Sequence, residues 1–154
     1  MNTSAFDPSL FLDASISEPT VKRPPLPVGD YLGVIGEVTA RAWTGKKDPT
    51  KSGIAWDVPL TIEVPADVQV ALGLTQGTLQ FKDSIMLDIT AGGALDNAPG
   101  RNGGLRRYRE ACDLNKPGDS FSARQMTGKV VKVKITHELY NDEPVERISG
   151  VAKS

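Results

Sequence analysis

The stretch Ile54-Ala55-Trp56-Asp57-Val58-Pro59-Leu60-Thr61-Ile62-Glu63-Val64 decides the fold. Ile54, Trp56, Val58, Leu60, Ile62 and Val64 alternate with Ala55, Asp57, Pro59, Thr61 and Glu63. Side chains leave a strand on opposite faces with period two, so this pattern predicts a half-buried strand with the first set inward. Pro59 falls on the polar set and has no N–H to give a ladder, so it predicts a sheet edge or a bulge.

Weaker copies of the pattern lie on either side. Residues 31–43 read as a preceding strand, with Leu32, Val34 and Val38 on one face and Tyr31 and Ile35 on the other. Gly33 and Gly36 mark a bend or a close backbone approach. Residues 44–53 form a polar hairpin loop, and residues 65–78 hold a short helical turn or loop. A third strand spans about residues 79–90, with Asp83 an oddity on its apolar face that suggests a bulge. The glycine-rich residues 91–104 read as mobile. Leu105, Tyr108, Ala111 and Cys112 recur at helical spacing over residues 105–114. Residues 129–137 and 145–151 complete five strands, joined by a turn at residues 140–144. The fold class expected is all-β with one helix: strand, strand, strand, helix, strand, strand. That is the connectivity of the five-stranded OB barrel, in which the helix plugs one end.

Residues 1–28 read as a Pro-rich N-terminal arm, and residues 29–154 as the barrel domain. Phe6, Leu10, Phe11 and Leu12 fit one short amphipathic turn after Asp7-Pro8. Pro19, Pro24, Pro25 and Pro27 then impose extended backbone.

The net charge is -1, from 18 Lys+Arg and 19 Asp+Glu, but it is unevenly distributed. Residues 101–135 carry nine basic and three acidic side chains, whereas residues 52–100 carry six acidic ones against Lys82 alone. One cysteine, Cys112, permits no intrachain disulfide. With one histidine, His137, it cannot close a tetrahedral zinc site, so no metal or cofactor is expected. No stretch is apolar enough for a membrane span, and no basic-then-apolar leader opens the chain. The expected location is the cytoplasm.

Four elements stand in order along the chain: Leu26-Pro27-Val28-Gly29-Asp30-Tyr31, Lys51-Ser52-Gly53, the helix Leu105-x-x-Tyr108-x-x-Ala111-Cys112, and Met126-Thr127-Gly128-Lys129 leading into Val130-Val131-Lys132-Val133. In these the chain resembles the small phage-encoded single-stranded-DNA-binding proteins, an OB-fold group. The match spans roughly residues 24–151. It implies an OB-type barrel, single-stranded DNA as ligand, no catalytic residue, and phage or host replication and recombination proteins as partners. Residues 1–23 fall outside the pattern and residues 64–80 look longer than usual. Gly150-Val151-Ala152-Lys153-Ser154 supplies none of the acidic tail through which many replication binders recruit partners.

Such a ligand needs cations for phosphates and aromatic faces for bases. Trp43 stands beside Lys46, Lys47 and Lys51 and is the first candidate for stacking; the alternative is that it caps the core. Trp56 belongs to the inward set. Tyr140 sits at a hairpin tip, either stacking or merely exposed. Lys132 and Lys134 share a strand face, and Arg106, Arg107 and Arg109 share the helix, either as phosphate contacts or as a solvated surface. Thr44-Gly45-Lys46-Lys47 and Met126-Thr127-Gly128-Lys129 lack the spacing of a phosphate loop. His137 could pair with Glu138 or Asp142 as a base, but no motif places a nucleophile beside it, so no enzyme is expected. The function expected is sequence-tolerant binding of single-stranded DNA, by a monomer or a homo-oligomer. The alternative is a phage virion or assembly protein whose arm contacts neighbouring subunits.

Overall fold

A computed structural model describes residues 7–154. Phe6, and with it part of the predicted arm, lies outside them. The fold is β-rich: β1 (Gly29–Ile35), β2 (Thr39–Thr44), β3 (Ser52–Glu63), β4 (Thr78–Met86), β5 (Val130–Tyr140) and β6 (Glu143–Lys153). Among the described residues two α-helices interrupt it, α1 (Ala66–Leu72) and α2 (Gly103–Ala111), where the sequence leads one to expect one helix and a short helical turn or loop over residues 65–78. The strands form one six-stranded sheet in the order β2-β3-β1-β5-β6, with β4 on the other side of β3. Every pairing is antiparallel.

The five strands expected from the sequence are therefore six, because the first is broken. β2 pairs with residues 52–57 of β3 and β1 with residues 60–62, so both lie along the same side of β3. The break falls at Gly36, whose N–H donates to the Pro59 carbonyl at 2.8 Å. A Cβ on Gly36 would stand 3.0 Å from the Pro59 ring. Pro59 is neither at an edge nor in a bulge. In a strand a residue's nitrogen and carbonyl point to the same side, so its missing N–H faces the gap between β2 and β1, where no ladder bond is lost.

The inward faces of β1, β3 and β5 build the core. Tyr31, Ile35, Val58, Leu60, Ile62, Val131, Val133 and Ile135 are buried there with Met126 and Leu26. Tyr31, on what reads as the lesser face of its strand, is thus the inward residue; its hydroxyl donates to the Pro27 carbonyl at 2.6 Å. Leu32 and Val34 point outward. The alternation of β3 also departs from expectation at its start. Ile54 is exposed and Trp56 only half-buried at the core margin, whereas Ala55 and Asp57 are buried on the opposite face. The cause is a cover on the outer face, described below.

β4 continues in register past Asp83, which pairs with Val58, so no bulge forms there. Asp83 instead accepts a hydrogen bond from the Tyr108 hydroxyl at 2.6 Å, and this ties α2 to the strand. Burial, first, and the adjacent Asp83 carboxylate push the Tyr108 phenol upward and keep it protonated. The glycine-rich loop before α2 is held by Asn102. Its side-chain oxygen accepts from the Asp88 N–H at 2.8 Å, and its amide donates to the Asp88 and Asp96 carbonyls at 3.0 Å each. Its backbone N–H donates to the Asp88 carboxylate at 2.7 Å. Asn102 takes a left-handed conformation at φ 52°, which asparagine tolerates better than most residues.

Leu26 is fully buried, and its N–H donates to Glu146 at 2.6 Å. The His137 ring donates from Nε2 to the Leu26 carbonyl at 2.6 Å, so His137 is engaged with the end of the arm rather than with Glu138 or Asp142. Among the described residues no helix is long and apolar enough to cross a membrane.

Replacing Asn102 by Ala removes the partners of the half-buried Asp88 N–H and of the Asp96 carbonyl, while the Asp88 carbonyl keeps the Asp96 N–H at 2.9 Å. The expected loss is about 2 kcal/mol of unfolding free energy, read from urea denaturation. A change of a few tenths would mean that water replaces the amide freely.

Candidate nucleic-acid interface

The outer face of β2, β3 and β4 is built around Asp57. Register puts Thr39 and Ser84 directly opposite Asp57 on the two neighbouring strands. Arg41 donates from Nε to both Asp57 oxygens, at 2.9 and 3.2 Å, and the Ser84 hydroxyl donates to Oδ1 at 2.7 Å. The Ser84 hydrogen bond, followed by the Arg41 guanidinium, holds the Asp57 carboxyl below its ordinary value. This cluster staples three strands and spends the charge of Arg41 on Asp57.

Two rows from Asp57 along the same face, past Arg41 opposite Ala55, Trp43 pairs with Gly53. The indole lies against the glycine: a Cβ on Gly53 would stand 2.9 Å from each of Cε2, Cζ2 and Nε1. Only glycine allows this approach. Trp43 Nε1 is buried without a hydrogen-bond partner among the described residues. A shielded N–H costs free energy, so packing on the Gly53 backbone is what holds the ring. Trp43 therefore does not cap the core, since its strand position faces outward with Arg41. The hairpin beyond it carries Lys46, Lys47 and Lys51, all exposed. Asp48 shapes this loop by accepting from the Thr50 N–H at 3.1 Å.

A second feature lies where β4 and β6 face each other. The two strands run parallel across a groove: residues 81–84 lie opposite 146–148, and residues 83–86 opposite 148–151. One part, about 300 Å³, is lined by Met86, Gly104, Arg107 and Tyr108 among others; the other, about 350 Å³, by Lys82 and Arg147. Arg147 is shared with Glu138 at 3.4 Å.

The structure thus brings Trp43, Lys46, Lys47 and Lys51 together and separates them from the rest. Arg107 lines the groove, and Arg106 is exposed on the same helix. Arg109 is occupied: it stacks over Phe121 at 4.5 Å and donates to the Leu114 carbonyl at 3.1 Å. Tyr140 is exposed at the tip of the β5–β6 hairpin. Lys132 and Lys134 lie opposite Leu32 and Asp30 on the outer face of β5. The row of Gly33 and Ile62 is nine residues along β3 from Gly53. That is about 30 Å of strand between the Lys132 region and Trp43. Sequence reasoning missed Gly53 as the support of the indole, and Lys82 and Arg147 as groove residues. The first had a local signal, a glycine opposite a tryptophan across a short hairpin; the others needed the sheet register.

Among the described residues no group of three or more His, Cys, Asp or Glu side chains is placed to hold a metal ion. Comparison with known proteins gives no match to any family model and none to a curated protein.

A carboxyl with a depressed value adds stability that is present above its unfolded value and is lost as pH falls through its folded one. For Asp57 the reference is 3.8 and the folded value lies lower. The stability advantage of the native protein over Asp57→Asn is therefore expected to be full at about pH 7 and to fade below about pH 4, followed by urea midpoints across that range. An advantage that holds unchanged to about pH 2.5 would remove Asp57 as the titrating group.

Proposed function

We propose that the protein binds single-stranded DNA without strong sequence preference and performs no catalysis. The observation that carries this reading is the Trp43 indole laid on Gly53 at the base of a hairpin bearing Lys46, Lys47 and Lys51, on the solvent side of the sheet. A fixed aromatic face beside three cations that form no salt bridge among the described residues suits a strand whose bases stack and whose phosphates need neutralising. Every base has a π-face, so such a site tolerates any sequence.

The fold reading that accompanies it is an OB-type barrel. Its support is the path β4-β3-β1-β5-β6, the bent β1–β2 pair acting as one strand, and α2 between β4 and β5. The parallel approach of β4 and β6 across the groove belongs to the same architecture, left partly open. On that reading the β2–β3 hairpin is one of the loops that flank the ligand face, and the groove residues Lys82 and Arg107 extend the track. The phage setting, the cytoplasmic location and the replication or recombination partners rest on the resemblance carried by residues 24–151. The alternative, a virion or assembly protein, draws on the exposed arm.

In a Trp56→Phe background, quenching of Trp43 fluorescence by oligo(dT) is expected, with affinity falling steeply between about 50 and about 200 mM salt. Trp43→Ala should weaken binding by about tenfold, within the usual worth of one stacked base. Lys46→Glu with Lys47→Glu should flatten the log–log salt slope by about 1.4, whereas Lys132→Glu with Lys134→Glu should change affinity less. Absence of binding at low salt, by fluorescence and by gel shift, would overturn the reading.

A further inference from the structure

We propose that residues 7–21 of one copy dock into an apolar groove on the outer face of the sheet of a second copy. The groove lies over the middle of the sheet, where an outward face would ordinarily be polar. Leu32, Val34 and Val130 are 46%, 42% and 45% exposed there. Register makes them neighbours, with Val34 opposite both Val130 and Thr61. Together with Val64 and Glu63 they line a groove of about 570 Å³. A contiguous exposed apolar patch between polar borders marks an interaction surface.

The same chain carries an apolar segment of matching character. Leu10, Leu12, Ile16 and Val21 are 67%, 85%, 76% and 79% exposed. The charges of residues 7–21 are Asp7, Asp13 and Glu18, all acidic. Lys132 stands opposite the lining residue Leu32 on the β5 side of the groove, with Lys134 beyond it opposite Asp30, while Glu63 lies on the other side. An acidic apolar segment therefore fits the lysine side.

The anchor of the arm directs it towards another copy. Arg23 and Leu26 are held by Glu146, and the Leu26 carbonyl by His137, in the distal part of the β5–β6 hairpin. Val130 lies seven residues from His137 at the other end of β5, about 23 Å away along the strand and on its opposite face. The arm residues Leu10, Leu12, Ile16 and Val21 stay exposed and leave Leu32, Val34 and Val130 of their own chain uncovered. A second copy offers the same groove, and exchange of identical segments is a low-cost route to dimers.

Sedimentation equilibrium of the full chain tests this. The native protein is expected to dimerise, and Leu10→Glu with Leu12→Glu, or Val34→Glu alone, to weaken self-association at least about tenfold. An equimolar mixture of the arm variant and the groove variant should dimerise again, because one supplies an intact groove and the other an intact arm. Val130→Lys serves as a second groove variant should Val34→Glu fail to fold. A monomeric native protein, including one whose arm is protected from protease by its own groove, would overturn the proposal. So would dimers indifferent to both variants, or a mixture that stays monomeric. The arm variant should retain its affinity for oligo(dT), so failure here and failure of the DNA-binding reading are separate outcomes.

Discussion

The contact between Gly36 and Pro59 governs the path of the sheet. A central strand of twelve residues with a continuous partner on each side would carry its neighbours along as one flat ribbon. Pro59 cannot donate, so the ladder on one side of β3 has to stop there. The chain uses the stop to end β1 and begin β2 after a bend, closed by the Gly36 hydrogen bond and by an approach that a side chain would obstruct. β1 is thereby free to pair with β5, and β2 is left to hold the outer face of β3. The core and the lysine hairpin are thus served by two halves of what the sequence pattern reads as one strand.

The same bend leaves β4 and β6 as facing edges. Exposed edges invite other strands. Here α2 packs against both β6 and β4, with Leu105, Tyr108 and Ala111 inward. The Tyr108–Asp83 hydrogen bond fixes the helix over one end of the gap, and the Asn102 amide fixes its first turn. A carboxylate on the inward side of β4 is tolerated because a phenol reaches it. What remains of the gap is a polar groove rather than an open apolar edge.

Apart from the break between β1 and β2, the strands are legible because their signal is local. β3, β5 and α2 announce themselves in residues two, three or four apart. The features that were not legible depend on partners distant in the chain. Asp57 reads as a solvent-facing residue, yet it is buried by Arg41, 16 positions away, and Ser84, 27 positions away. His137 reads as a residue that could pair with its neighbours Glu138 or Asp142, but its partner, the Leu26 carbonyl, is 111 positions away. The candidate site divides in the same manner. Trp43 and its lysines adjoin one another in sequence and remain together in space. Lys132 and Lys134 read as further phosphate contacts from their charge and shared strand face, and the register of β1 with β5 carries them elsewhere.

That division bears on how a charge pattern should be read. Nine basic residues within 101–135 suggest a cationic sector. The fold disperses them: Arg101 faces Asp96, Lys116 faces Asp113, and Arg109 covers Phe121. Exposed ion pairs are worth little to stability, but each one reduces the local potential available to a polyanion. Lys46, Lys47 and Lys51 belong to no such run, yet among the described residues they form no salt bridge and stand beside an aromatic ring held on backbone. For a chain near neutrality, the capacity to bind a polyanion depends less on how many cations a segment contains than on which of them the fold leaves unpaired beside a surface that can stack.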